Sequence, residues 1–333
     1  MRGLTTIAVG AFFVLTAIAL SVILGTTASM ANTNYRIGTP AVQFNNNSAY
    51  QMPQCTISSN TYSLLNCLAL QKNGTWVVIR FYYQSGDEGA ILGFSTAQYP
   101  STPNGYAPWV YIGTNGYLYF GDYASGVFLQ VSFPLTPGWH TLVAGEYFSG
   151  GTYYVYACLD SASNCQSDST TNLPQLFSTG SWSYGDIGTE YAGGGWVNTN
   201  HNWFFYTGDI EYIALYAGNT TTLENDLTNW LNSTGGVNPP PNLGSPYGPY
   251  ALYTTSSFSG NTWFDASGNG NAATLVSGTQ PAQLTILTQQ LGFGGAAPPL
   301  QTLKPLITAI AVLGFLIIII GAVQALIDEA SRL

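Results

Sequence analysis

Few side chains in this sequence could do chemistry. Retaining glycoside hydrolysis needs two carboxyl groups about 5–5.5 Å apart. The nearest approach to that is Asp209 and Glu211, which alternate along one run and so share a strand face. Asp87-Glu88 lies between glycines and reads as a solvated turn tip, with a calcium contact as the alternative. The only histidines are His140 and His201, and no Cys or Ser nucleophile motif lies near His201. No Gly-rich phosphate loop follows a strand and opens a helix. The expectation is a protein that is not an enzyme and holds no cofactor and no metal.

What remains is aromatic display. Flat Trp and Tyr faces stack on sugar C–H faces, and their polar tips hydrogen-bond hydroxyls. The run 109–120 predicts a hairpin. A two-residue Asn115-Gly116 turn would mix its faces, whereas a three-residue Thr114-Asn115-Gly116 loop pairs Ile112 with Leu118 and Tyr111 with Tyr119. Gly116 then takes the left-handed position. In that register Val110, Ile112, Leu118 and Phe120 share one face, and Trp109, Tyr111, Tyr117 and Tyr119 the other. This second face is the first candidate for glycan contact. Trp182, Tyr184, Trp196 and Trp203, in Gly-rich loops, are the second. The alternative is that these rings cover a sheet or pack against neighbouring copies.

The ends of the chain decide its compartment. Leu4–Leu24 and Leu306–Ile327 carry no charge, and at 1.5 Å per residue either could cross a hydrocarbon core of about 30 Å. Arg2 before the first run and Ser29-Met30-Ala31 after it fit a cleaved signal peptide. An uncleaved anchor and a pilin-type leader are the alternatives. The second run reads as a transmembrane helix with the middle of the chain outside. The sequence has six Lys and Arg against fifteen Asp and Glu, a net charge of −9. Without a basic cluster it is unsuited to nucleic acid or to anionic headgroups. Such Lys-poor exteriors, rich in Tyr, Asn, Ser and Thr, resemble exported proteins of acid-living archaea and their viruses. In an exported chain four cysteines favour disulfides, and sequence-local pairs Cys55–Cys67 and Cys158–Cys165 are expected, with buried thiols or a zinc site as alternatives. Glycosylation sequons stand at Asn46, Asn73, Asn219 and Asn232.

Short strand-like runs with Gly, Asn and Pro punctuation fill the middle, at 76–83, 109–112, 117–120, 127–133, 140–147, 153–159 and 210–216. One segment reads as helix, opened by a Thr221/Glu224 capping box, with Leu223, Leu227, Trp230 and Leu231 on one face. Several motifs then stand in a particular order: Ala41–Phe44, Trp76–Tyr82, Gly138-Trp139-His140, Tyr153–Leu159, Ile187-Gly188 and Phe205–Tyr216. That order resembles the laminin-G-like domains of the concanavalin A-like lectin/glucanase superfamily, over roughly 40–232. The resemblance implies an all-β fold, an antiparallel jelly-roll β-sandwich. It implies a packing role for His140 and a structural one for Asp209 and Glu211. Glucanases of the superfamily carry a Glu-x-Asp-x-(x)-Glu triplet, which this chain lacks. Phe264–Ala272 resembles the Asp-x-Ser-Gly-Asn-Gly-Asn loop found near the start of such domains.

The expected organisation follows. Residues 1–31 are a signal peptide or N-terminal membrane helix, and 35–234 the sandwich. A Pro-rich linker spans 235–249, and 250–290 is an additional β-hairpin or truncated repeat packing on the sandwich. A Gly/Pro-rich stalk (291–304), a transmembrane helix (305–327) and a short cytoplasmic or interior tail (328–333) complete it. The expected function is non-catalytic glycan binding or adhesion at a cell surface or virion envelope. Its partners would be membrane lipid and glycans or surface proteins. The alternatives are a self-associating envelope, coat or spike protein and a glycan hydrolase.

Overall fold

A computed structural model describes residues 40–180, 182–200, 202–278 and 280–284. The expected membrane segments at 1–31 and 305–327, the stalk, the tail and His201 lie outside the described residues. Among the described residues no helix is long and apolar enough to cross a membrane.

Runs of β-branched and aromatic residues become strands, and two antiparallel sheets pack into a sandwich. Among the described residues the first sheet has eight strands. Its spatial order is Cys165–Thr170, Thr152–Leu159, Gly138–Ser149, Gly74–Tyr83, Thr207–Ala217, Ala41–Asn45, Ala282–Leu284, and Ala251–Thr254 also pairs with Thr207–Ala217. The second has nine, in the order Phe258–Ser259, Thr262–Trp263, Ala273–Ser277, Ala49–Gln51, Tyr184–Ile187, Gly89–Ser95, Tyr106–Ile112, Tyr117–Ala124, Val127–Pro134. Residues beyond 250 thus contribute strands to both sheets. Val77, Ile79 and Phe81 from the first sheet meet Val110, Ile112, Leu118 and Phe120 from the second in one buried cluster. Burying each such side chain stabilises the fold by about 1.5–3 kcal/mol.

The hairpin adopts the register that its hydrophobic pattern selects. Ile112 pairs with Leu118 and Tyr111 with Tyr119, and Gly116 is left-handed at φ 74°. The open edge of the last strand, Val127–Pro134, is covered by side chains of the first sheet. Gln166 Nε2 donates to the Ser132 carbonyl (2.7 Å), its Oε1 accepts from the Ser132 N–H, and Asp168 accepts from the Gln130 N–H. Both expected disulfides are formed, Cys55–Cys67 and Cys158–Cys165.

Two helices pack on this frame. The expected one, Thr221–Thr234, seats Leu223, Leu227 and Leu231 on Val78, Val143 and Ala214 of the first sheet's outer face. Its cap is Thr220, one residue earlier than the sequence pattern suggests. Thr220 has the extended φ/ψ of a cap and its hydroxyl accepts from the Leu223 N–H. The other helix, Leu64–Lys72, is not expected from the sequence. Leu64 to Ala69 are buried without interruption, so no amphipathic stripe marks it. Residues 235–249, read from composition as a linker, lie against the first sheet. There the Tyr216 hydroxyl donates to the Pro241 carbonyl, and Leu243 and Tyr247 join the helix cluster.

The sandwich seals acids away from water. Glu146 and Asp122 face each other between the sheets, both fully buried. Glu146 accepts the Trp109 indole N–H (2.8 Å), and Asp122 accepts backbone N–H groups of Tyr123 and Leu176. Asp186 and Glu190 are equally buried. Gly93 makes room for Glu190, since a Cβ there would lie 2.5 Å from Glu190 Cβ. Desolvation raises all four carboxyls above their ordinary range, and the second acid of each pair is raised further by its neighbour. Burial also pushes Glu211 up to about 7, against the pull of Arg80. At His140 burial opposes protonation, but hydrogen bonds to Asp160 and the Thr136 carbonyl outweigh it and raise the pKa.

Each of these groups holds its proton more tightly folded than unfolded. The stability they confer is therefore complete below the ordinary carboxylate range and is lost as pH rises through the raised values. We expect the melting temperature to fall by about 5–10 °C between pH 4.5 and pH 8. Replacing Asp122 with Asn and Glu146 with Gln should flatten that slope. Calorimetric scans across this range that peak at neutral pH would contradict it.

Candidate functional site

The aromatics singled out by sequence are largely inside. Trp109 is fully buried. A bulge in the pairing of Gly89–Ser95 with Tyr106–Ile112 breaks strand alternation there, and the Trp109 ring meets Phe120 at 5.0 Å in the core. Tyr111 and Tyr119 do share the opposite face, stacked at 4.8 Å and 11°. The chain's own loop covers them. Trp196 stands edge-on to Tyr111, the Tyr111 hydroxyl donates to the Val197 carbonyl (3.1 Å), and Asn198 Nδ2 donates to the Tyr119 oxygen (2.8 Å). Gly194 and Gly195, both at positive φ, let the loop turn over the sheet. Trp182 is buried edge-on to Phe94. Of the eight residues, Tyr117 is 39% exposed, and Tyr184 and Trp203 are half-buried.

The acidic and histidine candidates are also placed. Asp209 is buried, and Glu211 is held by Arg80 at 2.7 Å. His140 is enclosed between Asp160 (2.7 Å) and the Thr136 carbonyl (2.6 Å), a packing role. Asp87 accepts the Gln84 N–H, closing its own turn, and Glu88 accepts from Asn200. Both are half-buried, so this is a tied corner and not a solvated tip. No group of three or more His, Cys, Asp or Glu among the described residues is arranged to hold a metal. Asn46, Asn73 and Asn232 are exposed, whereas Asn219 is half-buried and donates its amide to the Phe148 carbonyl.

A different aromatic face reaches solvent, on the outside of the first sheet beside the helix Thr221–Thr234. Cross-strand partners share a face. The register pairs Trp76 with Gly145, Gly145 with Tyr156, Tyr147 with Tyr154, Tyr156 with Ser167 and Tyr154 with Ser169. Gly145 has no side chain, so the Trp76 ring lies flat over it; a Cβ would come within 2.1 Å of that ring. On this base the rings build outward. Trp76 and Tyr147 stack at 5.6 Å and 10°, and Tyr147 and Tyr154 at 5.3 Å and 21°. Tyr156 tilts against Trp76 at 6.1 Å. Trp76 is buried, its indole N–H donating to the Gly218 carbonyl (3.0 Å), while the three tyrosines are half-buried.

Tyr147 occupies one face of the Tyr154 ring. The other faces the edge strand, where the paired residue is exposed Ser169, too small to cover it. Glu224, half-buried in the first turn of the helix, accepts from the Tyr147 hydroxyl at 3.4 Å. Burial, then Glu224, pushes Tyr147 up to about 12 and Tyr156 in the same direction, while burial raises Glu224. The site therefore offers a free ring face, phenol hydroxyls, Ser167 and Ser169 hydroxyls and one carboxylate. Period-two spacing of Tyr154 and Tyr156 was its signal in the sequence. Its other half, Trp76 and Tyr147, lies on two further strands that only the register brings alongside.

No protein-family model and no curated protein matches the chain. Among solved structures, the CBM40 of the Ruminococcus gnavus IT-sialidase overlaps it with a TM-score of 0.33 at 10% identity, over 55% of this chain and 98% of that one. The enzymatically active domain of tailspike protein 2 of bacteriophage CBA120 overlaps with a TM-score of 0.28 at 10% identity, over 60% of this chain and 32% of that one. Overlaps this partial carry no functional weight, and the site is judged on its own side chains.

Proposed function

We propose that this chain is a non-catalytic, jelly-roll glycan-binding protein, exported and held to a membrane by its hydrophobic C-terminal run. The tyrosine face of the first sheet is its binding surface. The observation that carries this reading is the Tyr154 ring, stacked on one side and bordered on the other by serine hydroxyls. Apolar C–H faces of a sugar match the ring, and its hydroxyls match Ser167, Ser169 and Glu224. Binding of this kind orients a ligand without attacking it. Glu224 accepts from the Tyr147 hydroxyl, and Glu211 is engaged by Arg80.

A second reading, an envelope or coat protein packing against its own copies, draws on a chain that is only 6% charged. Mass photometry after gentle extraction separates the two, since a stable monomer would sink the coat reading. Intact mass reports whether residues 1–31 are removed, as the signal-peptide reading expects. A mass retaining them would favour the anchor.

On a glycan array the full-length protein should bind at least one polysaccharide. Tyr154→Ala should weaken that binding by about tenfold or more, with the melting temperature little changed. No binding by the wild type, or full binding by the variant, would defeat the proposal. Gly145→Ala should displace the Trp76 ring, costing about 1–3 kcal/mol in urea unfolding and glycan affinity with it. An unchanged unfolding midpoint would show that the stack does not rest on this glycine.

A further inference from the structure

The segment 242–250 and the loop 265–271 together wall a cavity of about 270 Å³ that no tyrosine of the first sheet's face lines. Its walls are tied firmly. Leu243 N–H donates to the Gly248 carbonyl, and Tyr247 and Gly248 N–H groups donate to Gly244. Asp265 stands behind the second loop with its carboxylate consumed by the N–H groups of Leu252, Ser267 and Asn271. Asn271 Nδ2 donates to the Tyr250 carbonyl at 2.7 Å. The side chains fix this cavity before any ligand arrives.

Its chemistry is specific. Asn242, Ser245, Pro249, Tyr250, Ser267 and Asn269 line it, and none is charged. Asn242 commits Oδ1 to the Gly244 N–H, which leaves its Nδ2 as a donor. Asn269 commits Nδ2 to the Pro249 and Tyr250 carbonyls, which leaves its Oδ1 as an acceptor. Exposed Ser245 adds a hydroxyl that can do either. Tyr250 anchors its own hydroxyl on the Pro246 carbonyl (2.7 Å), so its ring and Pro249 present an apolar wall. A donor, an acceptor, a hydroxyl and an apolar wall without charge match the adjacent hydroxyls and C–H face of a sugar. An anion or a cation would find no countercharge among the lining residues. The volume lies below the range of drug-sized sites and suits one ring.

We propose that this cavity binds a single neutral sugar ring, such as the end of a glycan whose body lies elsewhere on the protein. The proposal rests on the glycan-binding reading but on none of the residues of the tyrosine face. The test uses the full-length protein in a detergent that is not itself a glycoside. Methyl glycosides of glucose, galactose, mannose and N-acetylglucosamine are titrated and followed by saturation-transfer NMR. At least one should bind with a Kd that is roughly millimolar. Ser245→Trp, which fills the cavity from an exposed position, should weaken binding by tenfold or more. Tyr154→Ala should leave it unchanged. Ser267→Leu serves as the second variant should Ser245→Trp lower the melting temperature. Binding by none of the four, binding unchanged in both cavity variants, or preference for glucuronate over all of them would overturn the proposal. If polysaccharide binding still depends on Tyr154 in that case, the tyrosine face stands and the cavity alone is refuted.

Discussion

The contact of Trp76 with Gly145 governs how the first sheet meets its surroundings. An indole can lie flat on a strand only where the neighbouring strand omits a side chain. That single omission places the ring on which Tyr147 stacks, and through Tyr147 it sets Tyr154. The same indole holds the Gly218 carbonyl, at the end of the strand that leads into the Thr220 cap of the helix. One packing choice therefore fixes both the half-buried tyrosine rings and the element beside them. Residues on three strands and a helix share a dependence that none would reveal alone.

Much of the fold was legible because alternation along a strand leaves a trace in the sequence. The register of the 109–120 hairpin follows from matching apolar residues to one face, and Gly116 then has one conformation open to it. Both disulfides join cysteines that are close in sequence. What escaped reading lacks a period. The helix 64–72 buries Leu64 to Ala69 without interruption, so its hydrophobicity carries no direction. A bulge turns Trp109 against the alternation assigned to it. The loop over Tyr111 and Tyr119 is rich in Gly and Asn, and nothing in such a stretch announces what it will cover. Most of the aromatic residues that the sequence singles out therefore lie inside. The half-buried rings of Tyr147, Tyr154 and Tyr156 each have a glycine or serine as one strand partner, a property of pairing that a one-dimensional pattern does not hold.

The buried acids give the low content of basic residues a structural meaning. A carboxylate enters a protein interior paired with a cation or as the neutral acid. Glu211 has Arg80, but Asp122 with Glu146 and Asp186 with Glu190 have only each other as acidic neighbours. Burial favours the neutral acid at each of these four carboxyls.

Gln166 and Asp168 span the gap from one sheet to the bare edge of the other. An uncapped strand edge templates pairing with any similar chain that drifts past it. By spending two side chains on its own neighbour's backbone, the molecule withdraws that edge from exchange. A chain arriving at Val127–Pro134 meets side chains already bonded there, and not a bare ladder.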